Sequence, residues 1–330
     1  MIANQTNLTI GPNASDTPPH PLASIVISIY RRDRYLKDAL ASALSQTWPN
    51  VEIIVTEDGG SNCVRPIIEE FHLPEDRLRL IQHPSNIGAA ANKLHAWRAA
   101  KGDFLINLDD DDLLEPEFVA TLLHPLLKDN SLVLSFCDHY LVNEHGEVNI
   151  AETANNTKRW KRDILAPGAH HPFLKLGLID QAIPFAMGTM WCKSRLNLDD
   201  FKIQSGPSYD LFMTYVAAKT SLGAYYIPER LAKYRVHPGM ETTTGRERIH
   251  RANIFCNRQY LKDPALASWR SVFLNRLTEA YTGLGIVTLR EHRRGMAMKC
   301  YLQSLLAQPT RRAIAGLIYC LLPSGPARVY

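Results

Sequence analysis

The chain predicts an α/β protein with a mostly parallel central sheet flanked by helices and a C-terminal helical extension. Short β-branched runs alternate with helix-spaced segments from residue 24 to residue 108. The connections between them are short, so right-handed crossovers place helices on both faces of the sheet. From Arg246 onward the apolar spacing is helical, at Ile249, Ala252, Cys256 and Tyr260 and again at Leu274, Leu277, Tyr281 and Leu284.

The first strand is Ser24 to Tyr30, a β-branched run that stops at Arg31-Arg32-Asp33-Arg34 and reads as a buried parallel strand. Tyr35 to Gln46 carries apolar residues at helical spacing, and Trp48-Pro49-Asn50 breaks it. A second strand, Val51 to Val55, ends in Thr56-Glu57-Asp58-Gly59-Gly60. A short helix (Arg65 to Phe71), a third strand (Leu78 to Ile81), a helix (Ala89 to Lys101) and a fourth strand (Phe104 to Leu108) follow. Beyond them come a helix from Glu117 to Lys128, a strand from Leu132 to Asp138, and a hairpin-like segment to Val148 turning at Gly146. Residues 151–171, with Asn155-Asn156 and a basic run, read as a mobile loop over the site. Phe185 to Trp191 reads as a strand, Ser208 to Ala218 as a helix, and Met240 to Gly245 as a flexible flap.

Composition bounds the function. At 330 residues, 45% hydrophobic and 21% charged, the chain is globular, with no collagen, disordered or repeat signature. Its first 22 residues lack a basic segment followed by an apolar one, so they read as a disordered arm and not a signal peptide. The six scattered cysteines show no CxxC spacing and read as reduced thiols, which suits a cytoplasmic protein. No apolar run is long enough to span a bilayer; Ala313 to Leu322 covers only ten residues. Residues 246–330 hold 14 Lys/Arg against 4 Asp/Glu, a net +10, which leaves −6 on the rest. Such a tail suits an anionic surface, either membrane lipid at the inner face or a phosphorylated acceptor, and its plainer reading is a solvated helical subdomain. No nucleic-acid partner is expected.

Four consecutive carboxylates, Asp109 to Asp112, stand where the apolar run Phe104-Leu105-Ile106 ends. Such a cluster repels itself unless a cation answers it, and a hard divalent ion prefers oxygen ligands while leaving positions open for substrate phosphates. The alternative is a solvated acidic turn capping the next helix. Tyr30, Glu57-Asp58 and the Asp109 run all fall at strand carboxyl ends, where ligands bind in parallel sheets, and this convergence favours a site.

The chain resembles a family 2 glycosyltransferase, an inverting family with the type-A nucleotide-diphospho-sugar transferase fold. The resemblance rests on Ser24 to Tyr30 with Tyr35-Leu36, on Ala41 to Thr47, on Glu52 to Gly59, on Asn86-Ile87-Gly88-Ala89-Ala90-Ala91-Asn92, and on the Asp109 run, in the family's order. It implies that residues 23–245 form the nucleotide-sugar-binding and catalytic domain and 246–330 a basic extension. It also implies transfer of a hexose-type sugar from a UDP-, GDP- or dTDP-linked donor to an acceptor hydroxyl on a polysaccharide, glycolipid or small molecule. By the same resemblance Asp109-Asp110-Asp111 is the DXD motif, with Asp111 the direct ligand of Mn²⁺ or Mg²⁺ and Asp109 contacting metal or ribose. Asp110 and Asp112 support or cap. Asp58 contacts the nucleotide base, with Glu57 departing from the family's paired aspartates, and Tyr30 packs near base or ribose. Asn86, Gly88 and Asn92 line the donor; the family's Arg beside the last of these is Ala91 here, and Lys93 follows. Gly188 lies on the strand lining the sugar pocket, and His237, in Tyr234-Arg235-Val236-His237, helps hold the metal. Arg235 is either structural or offsets diphosphate charge.

An inverting transfer needs a base for the acceptor hydroxyl, and a carboxylate at a helix start is a stable place for one. The family's base is the Asp of a Glu-Asp pair at this helix start. The Glu is absent here, and two registers exist: Asp210 is the base, or Asp210 matches a later Asp and Ser208 takes the base position. Asp210 is preferred, because neither Pro207 nor Ser208 supplies a base of suitable pKa. Two competitors remain: a nucleotidyltransferase that makes the sugar nucleotide, although the first loop has no glycine, and an inactive nucleotide-sugar-binding scaffold.

Overall fold

A computed structural model describes residues 20–31, 33–59, 63–240 and 245–322. Among these, nine strands form one sheet in the order β3-β2-β1-β4-β8-β6-β9-β5, with β7 also paired to β9. The first four are β1 (Ala23–Ile29), β2 (Val51–Glu57), β3 (Leu78–Gln82) and β4 (Phe104–Asp109), all parallel. The helices α1 (Leu36–Leu44), α2 (Val64–Glu69) and α3 (Ala89–Ala99) connect them. Then follow β5 (Leu113–Leu114), α4 (Phe118–Lys128), β6 (Leu132–Val142), α5 (Ile150–Arg159), β7 (Gly168–His170), β8 (Thr189–Cys192), α6 (Tyr209–Ala218) and β9 (Gly223–Arg235). The antiparallel β8 sits between β4 and β6, so the sheet is mixed at its centre.

Alternation along the strands divides the core into two layers. Ile25 and Ile27 of β1 pack with Leu40 of α1 and Leu122 of α4 on one face. Val26, Ile54 and Leu105 point to the other face, where Trp97 of α3, Trp191 of β8 and Phe212 of α6 gather. Burial of each such aliphatic side chain stabilises by about 1.5–3 kcal/mol. Trp97 and Trp191 meet edge to face at 5.5 Å, and the Trp97 indole N–H donates to Asn107 Oδ1 at 2.7 Å, so its one polar atom is satisfied. Register then sets the site. Ser28 pairs with both Thr56 and Asp109, and Ile29 with Glu57, so three strands end level at one edge of the sheet.

Three expected features differ. Residues 151–171 are not a mobile loop: they hold α5, a short turn at Arg162–Ile164 and β7. Asn149 caps α5 by accepting from Glu152 N at 3.0 Å, and the buried Thr153 donates from Oγ1 to Asn149 O at 2.7 Å. The strand expected from Phe185 starts only at Thr189, because the Gly188 N–H turns back to Pro184 O at 2.8 Å. Strand β6 runs on past Asp138 to Val142 before the turn containing Gly146. Of the expected N-terminal arm only His20 to Leu22 are described, and of the expected flap residues 241–244 lie outside the described residues.

The C-terminal helices are α7 (Arg246–Tyr260), α8 (Arg270–Arg290), α9 (Arg294–Ala307) and α10 (Arg311–Leu321). Cys256 and Tyr260 of α7, Leu266 in the turn before α8, and Phe273 of α8 belong to the same core cluster as Trp97 and Phe212. Tyr260 stacks on Phe212 at 6.3 Å. No helix among the described residues is long and apolar enough to cross a membrane.

Candidate active site

The chain turns sharply after β4, with Asp112 N–H donating to Asp109 O at 3.1 Å, and the four carboxylates diverge. Asp109 reaches toward Lys93, whose Nζ donates to Asp109 Oδ1 at 2.8 Å. Asp110 is buried. Asp111 Oδ2 meets His237 Nε2 at 3.0 Å. Gly239 N–H donates to His237 Nδ1 at 3.2 Å, which leaves Nε2 as the ring nitrogen that faces Asp111. Asp112 is fully buried and accepts from Arg235 N at 2.9 Å; its Oδ2 has no partner. Burial, followed by the charges of Asp111 and Asp109, holds the Asp112 carboxyl well above the usual range.

Arg235 lies beneath this turn. Its Nε donates to Asp111 O at 2.9 Å, Nη1 to Glu144 O at 3.0 Å, and Nη2 to Asp38 Oδ2 at 3.3 Å, with the guanidinium 4.5 Å from the Tyr35 ring centroid. These contacts clamp the acidic turn against α1 and the segment after β6.

Helix α6 brings the expected base to the same place. Lys93 is 2% exposed, also bonds Ser28 Oγ, and stands 4.4 Å from the Tyr209 ring centroid. Tyr209 Oη in turn reaches Asp109 Oδ1 at 3.4 Å. The next residue, Asp210, is partly buried in the first turn of α6. Burial, with the Asp109 charge adding to it, pushes its carboxyl up to about 6, a value suited to a base near neutral pH. Ser208 Oγ donates to Asn253 Oδ1 at 2.8 Å, tying the start of α6 to α7.

Several expected donor contacts are internal braces. Asp58 Oδ1 accepts from Ile87 N at 2.6 Å and its Oδ2 from Gly88 N at 3.0 Å, so this carboxylate pins the loop carrying Asn86. Desolvation raises its pKa despite those bonds. Glu57 is buried and accepts from Gln82 Nε2 at 2.6 Å. Asn92 is 2% exposed and donates from Nδ2 to Thr56 O at 3.1 Å, bracing α3 on β2. Gly188 is packed so closely that a Cβ would lie 2.7 Å from Pro184 Cγ. Asp58, Glu57, Asn92 and Gly188 thus brace the strand-end edge where a donor is expected. The residues left open there are Asn86, Gly88 and Tyr30, the last 37% exposed with Arg31 5.2 Å from its ring centroid. Gly88, at φ +90, allows the chain to enter α3.

A second buried charge network went unforeseen. Asp138, in the middle of β6, accepts from Arg162 Nε at 2.8 Å, Thr157 Oγ1 at 2.7 Å and His139 N at 2.9 Å. Arg162 continues to Asn156 Oδ1 at 2.6 Å. Burial, followed by the Arg162 charge, drives the His139 imidazole down to about 3, so the ring is neutral. The signal in the sequence was an aspartate inside an apolar strand, which needs a buried cation.

Among the described residues no three His, Cys, Asp or Glu side chains converge on one point for a metal ion. Of the three expected ligands, Asp111 and His237 meet, while Asp109 Oδ1 is engaged by Lys93. The donor chemistry of an oxygen and an imidazole suits Mn²⁺ or Mg²⁺, and the remaining positions would fall to diphosphate and water, as such ions commonly bind.

The parallel half-sheet, the mixed centre and the flanking helices make up the type-A glycosyltransferase fold. Solved structures share this fold. Staphylococcus aureus TarS 1-349 with UDP-GlcNAc superposes at TM-score 0.64 over 90% of this chain and 88% of that one, at 16% identity. The mannosyltransferase PcManGT of Pyrobaculum calidifontis, in complex with GDP-Man and Mn²⁺, gives 0.54 over 96% and 83%, at 13% identity. Among curated relatives, the hyaluronan synthase of Pasteurella multocida is 27% identical over 71% of this chain, and the chondroitin synthase of Escherichia coli 31% over 46%. The chain spans 22% of the length of each of these synthases. Residues 24–182 match the family model described as glycosyl transferase family 2.

Proposed function

We propose that the chain is an inverting glycosyltransferase that moves a sugar from a nucleoside diphosphate to an acceptor hydroxyl, with Asp210 as base and a divalent cation at Asp111 and His237. The observation that carries this reading is the meeting of Asp109 and Tyr209, 3.4 Å apart although one hundred residues separate them in sequence. It sets the carboxylate of Asp210 beside the acidic turn, the pairing that displacement of a diphosphate requires.

In this reading Asp210 takes the proton of the acceptor hydroxyl as its oxygen attacks the anomeric carbon. The bond from that carbon to the diphosphate oxygen breaks on the opposite face, which inverts the centre. A bound Mn²⁺ or Mg²⁺ would supply charge neutralisation for the departing diphosphate. Lys93, buried and cationic, fixes Asp109 and lends positive charge to the same edge. The TarS structure with UDP-GlcNAc and the PcManGT structure with GDP-Man support a sugar nucleotide as donor. A cytoplasmic position, with the basic tail against the inner face of a membrane, fits the net +10 of residues 246–330.

The test is release of nucleoside diphosphate from a panel of sugar nucleotides, with and without chelator, in the parent protein, Asp111→Ala and His237→Ala. Metal-dependent activity should disappear in chelator and in both variants. Full activity in Asp111→Ala would remove the cation from this position.

A further inference from the structure

The C-terminal helices enclose an open cleft of about 310 Å³, lined from three directions by α7, α8 and α9. That volume stands at the lower end of small-ligand sites. One wall is apolar: Ile254 of α7, Leu284 of α8 and Met296 of α9. The other is basic. Arg251 is already answered by Glu247, at 2.7 Å from Nη2 to Oε1. Arg258 and Lys299 have no carboxylate partner among the described residues, and Arg258 stands 5.5 Å from the centroid of Tyr281, which also lines the cleft. The Tyr281 hydroxyl is buried without a hydrogen-bond partner.

Two unanswered cations and an unpaired hydroxyl beside an aliphatic wall are complementary to an anion carrying a hydrocarbon chain. A bare anion would leave the 40% exposed Met296, which caps the buried Ile254 and Leu284, uncovered, and a neutral apolar molecule would leave the cations unmatched. The setting agrees. Ile314, Ile318, Leu321 and Leu322, at or just past α10, are 46–69% exposed, and Leu306 of α9 is 80% exposed. The cleft therefore belongs to a helical layer that already presents apolar side chains outward within the basic tail. It is also separate from the donor edge, since Arg251, Ile254 and Arg258 are on the face of α7 opposite Cys256 and Tyr260, which enter the main core.

We propose that this cleft binds an anionic amphiphile, a phosphate-type headgroup on an aliphatic chain, with Arg258 and Lys299 holding the headgroup and Ile254, Leu284 and Met296 the chain. This inference does not depend on the transferase reading. The chemistry is shared by a lipid phosphate and by soluble phosphate, and the probes distinguish the two.

The experiment is titration calorimetry of the full chain with octyl phosphate, inorganic phosphate and octyl glucoside, on the parent and on Arg258→Gln/Lys299→Gln. Both substituted side chains are exposed, so the double variant should keep the parent melting temperature. Octyl phosphate should bind the parent, and the double variant about ten-fold or more weakly, as expected for losing two hydrogen bonds to charged groups. Inorganic phosphate should bind more weakly than octyl phosphate, and octyl glucoside not at all. Equal binding of octyl phosphate and octyl glucoside would overturn the headgroup assignment, and equal binding of octyl phosphate and inorganic phosphate would overturn the chain assignment. Octyl phosphate that binds neither protein, or both alike, would overturn the site. Nucleoside diphosphate release should be unchanged in the double variant, so failure here and failure of the transferase reading are told apart.

Discussion

Asp210→Asn separates the cost of placing a base from its use. The carboxyl is pushed from 3.8 to about 6, chiefly by burial. At about 1.36 kcal/mol per unit, ionising it costs the folded state up to about 3 kcal/mol above that pH, and solvent at its open side reduces this to about 2 kcal/mol. The sign follows from the raised value. Below 3.8 the group is protonated folded or unfolded and costs nothing; as pH rises through about 6 the folded state loses that stability. Asparagine mimics the protonated form. At pH 8 the variant should therefore melt about 3 °C above the parent, and the two curves should converge as pH falls below about 4. Over the same range, transfer should drop by roughly 10²–10⁴-fold, the usual contribution of a general base. Scanning calorimetry across pH, beside an assay of nucleoside diphosphate release, measures both. A variant that melts below the parent at pH 8, or that still transfers sugar, refutes the assignment.

Other outcomes follow from the same contacts. In the parent, the rate should rise with pH through about 6 and level off above, a single inflection that Asp210→Asn abolishes. Lys93→Met strands Asp109 and should cost about 2–4 kcal/mol in chemical denaturation; adding Asp109→Asn should restore most of it, and equal stabilities of the single and double variants would show that the pair is not coupled. Arg162→Met leaves the buried Asp138 with only Arg230, 3.6 Å away, as a cation and should cost about 3 kcal/mol, again recovered in part by Asp138→Asn. A melting temperature unchanged in Arg162→Met would mean that solvent reaches Asp138.

The first half of the fold was legible because strands β1, β2 and β4 are short, mostly β-branched or apolar runs ending in charged or glycine-bearing turns, a pattern that depends on local sequence alone. Helix α5 was not. Its Asn155, Asn156, Thr153 and Thr157 are weak helix formers, and the helix forms because Thr157 and the neighbouring Arg162 are drawn onto Asp138 across β6. That attraction is tertiary and leaves no periodic trace. The active site divides in the same way. Strand ends placed Asp109, Asp111 and Asp58 at the right edge, yet spacing does not tell which way a side chain faces there. Asn92 and Arg235 turned inward to Thr56 and Asp111, and Asp58 to the amides of Ile87 and Gly88. The contact of His237 with Asp111 was reachable only through the resemblance, since 126 residues separate them.

The hydrogen bond from Ser208 to Asn253, with Cys256 and Tyr260 in the main core, bears on how such enzymes are recombined. A junction placed near residue 245 would take away the floor on which the helix of Asp210 rests. Exchanging tails between relatives at that point would thus alter the base's environment along with whatever the tail recognises. A crossover after Phe273 keeps that floor with Asp210 but divides the basic cleft, whose Arg251, Ile254 and Arg258 stay behind while Lys299 and Met296 are exchanged.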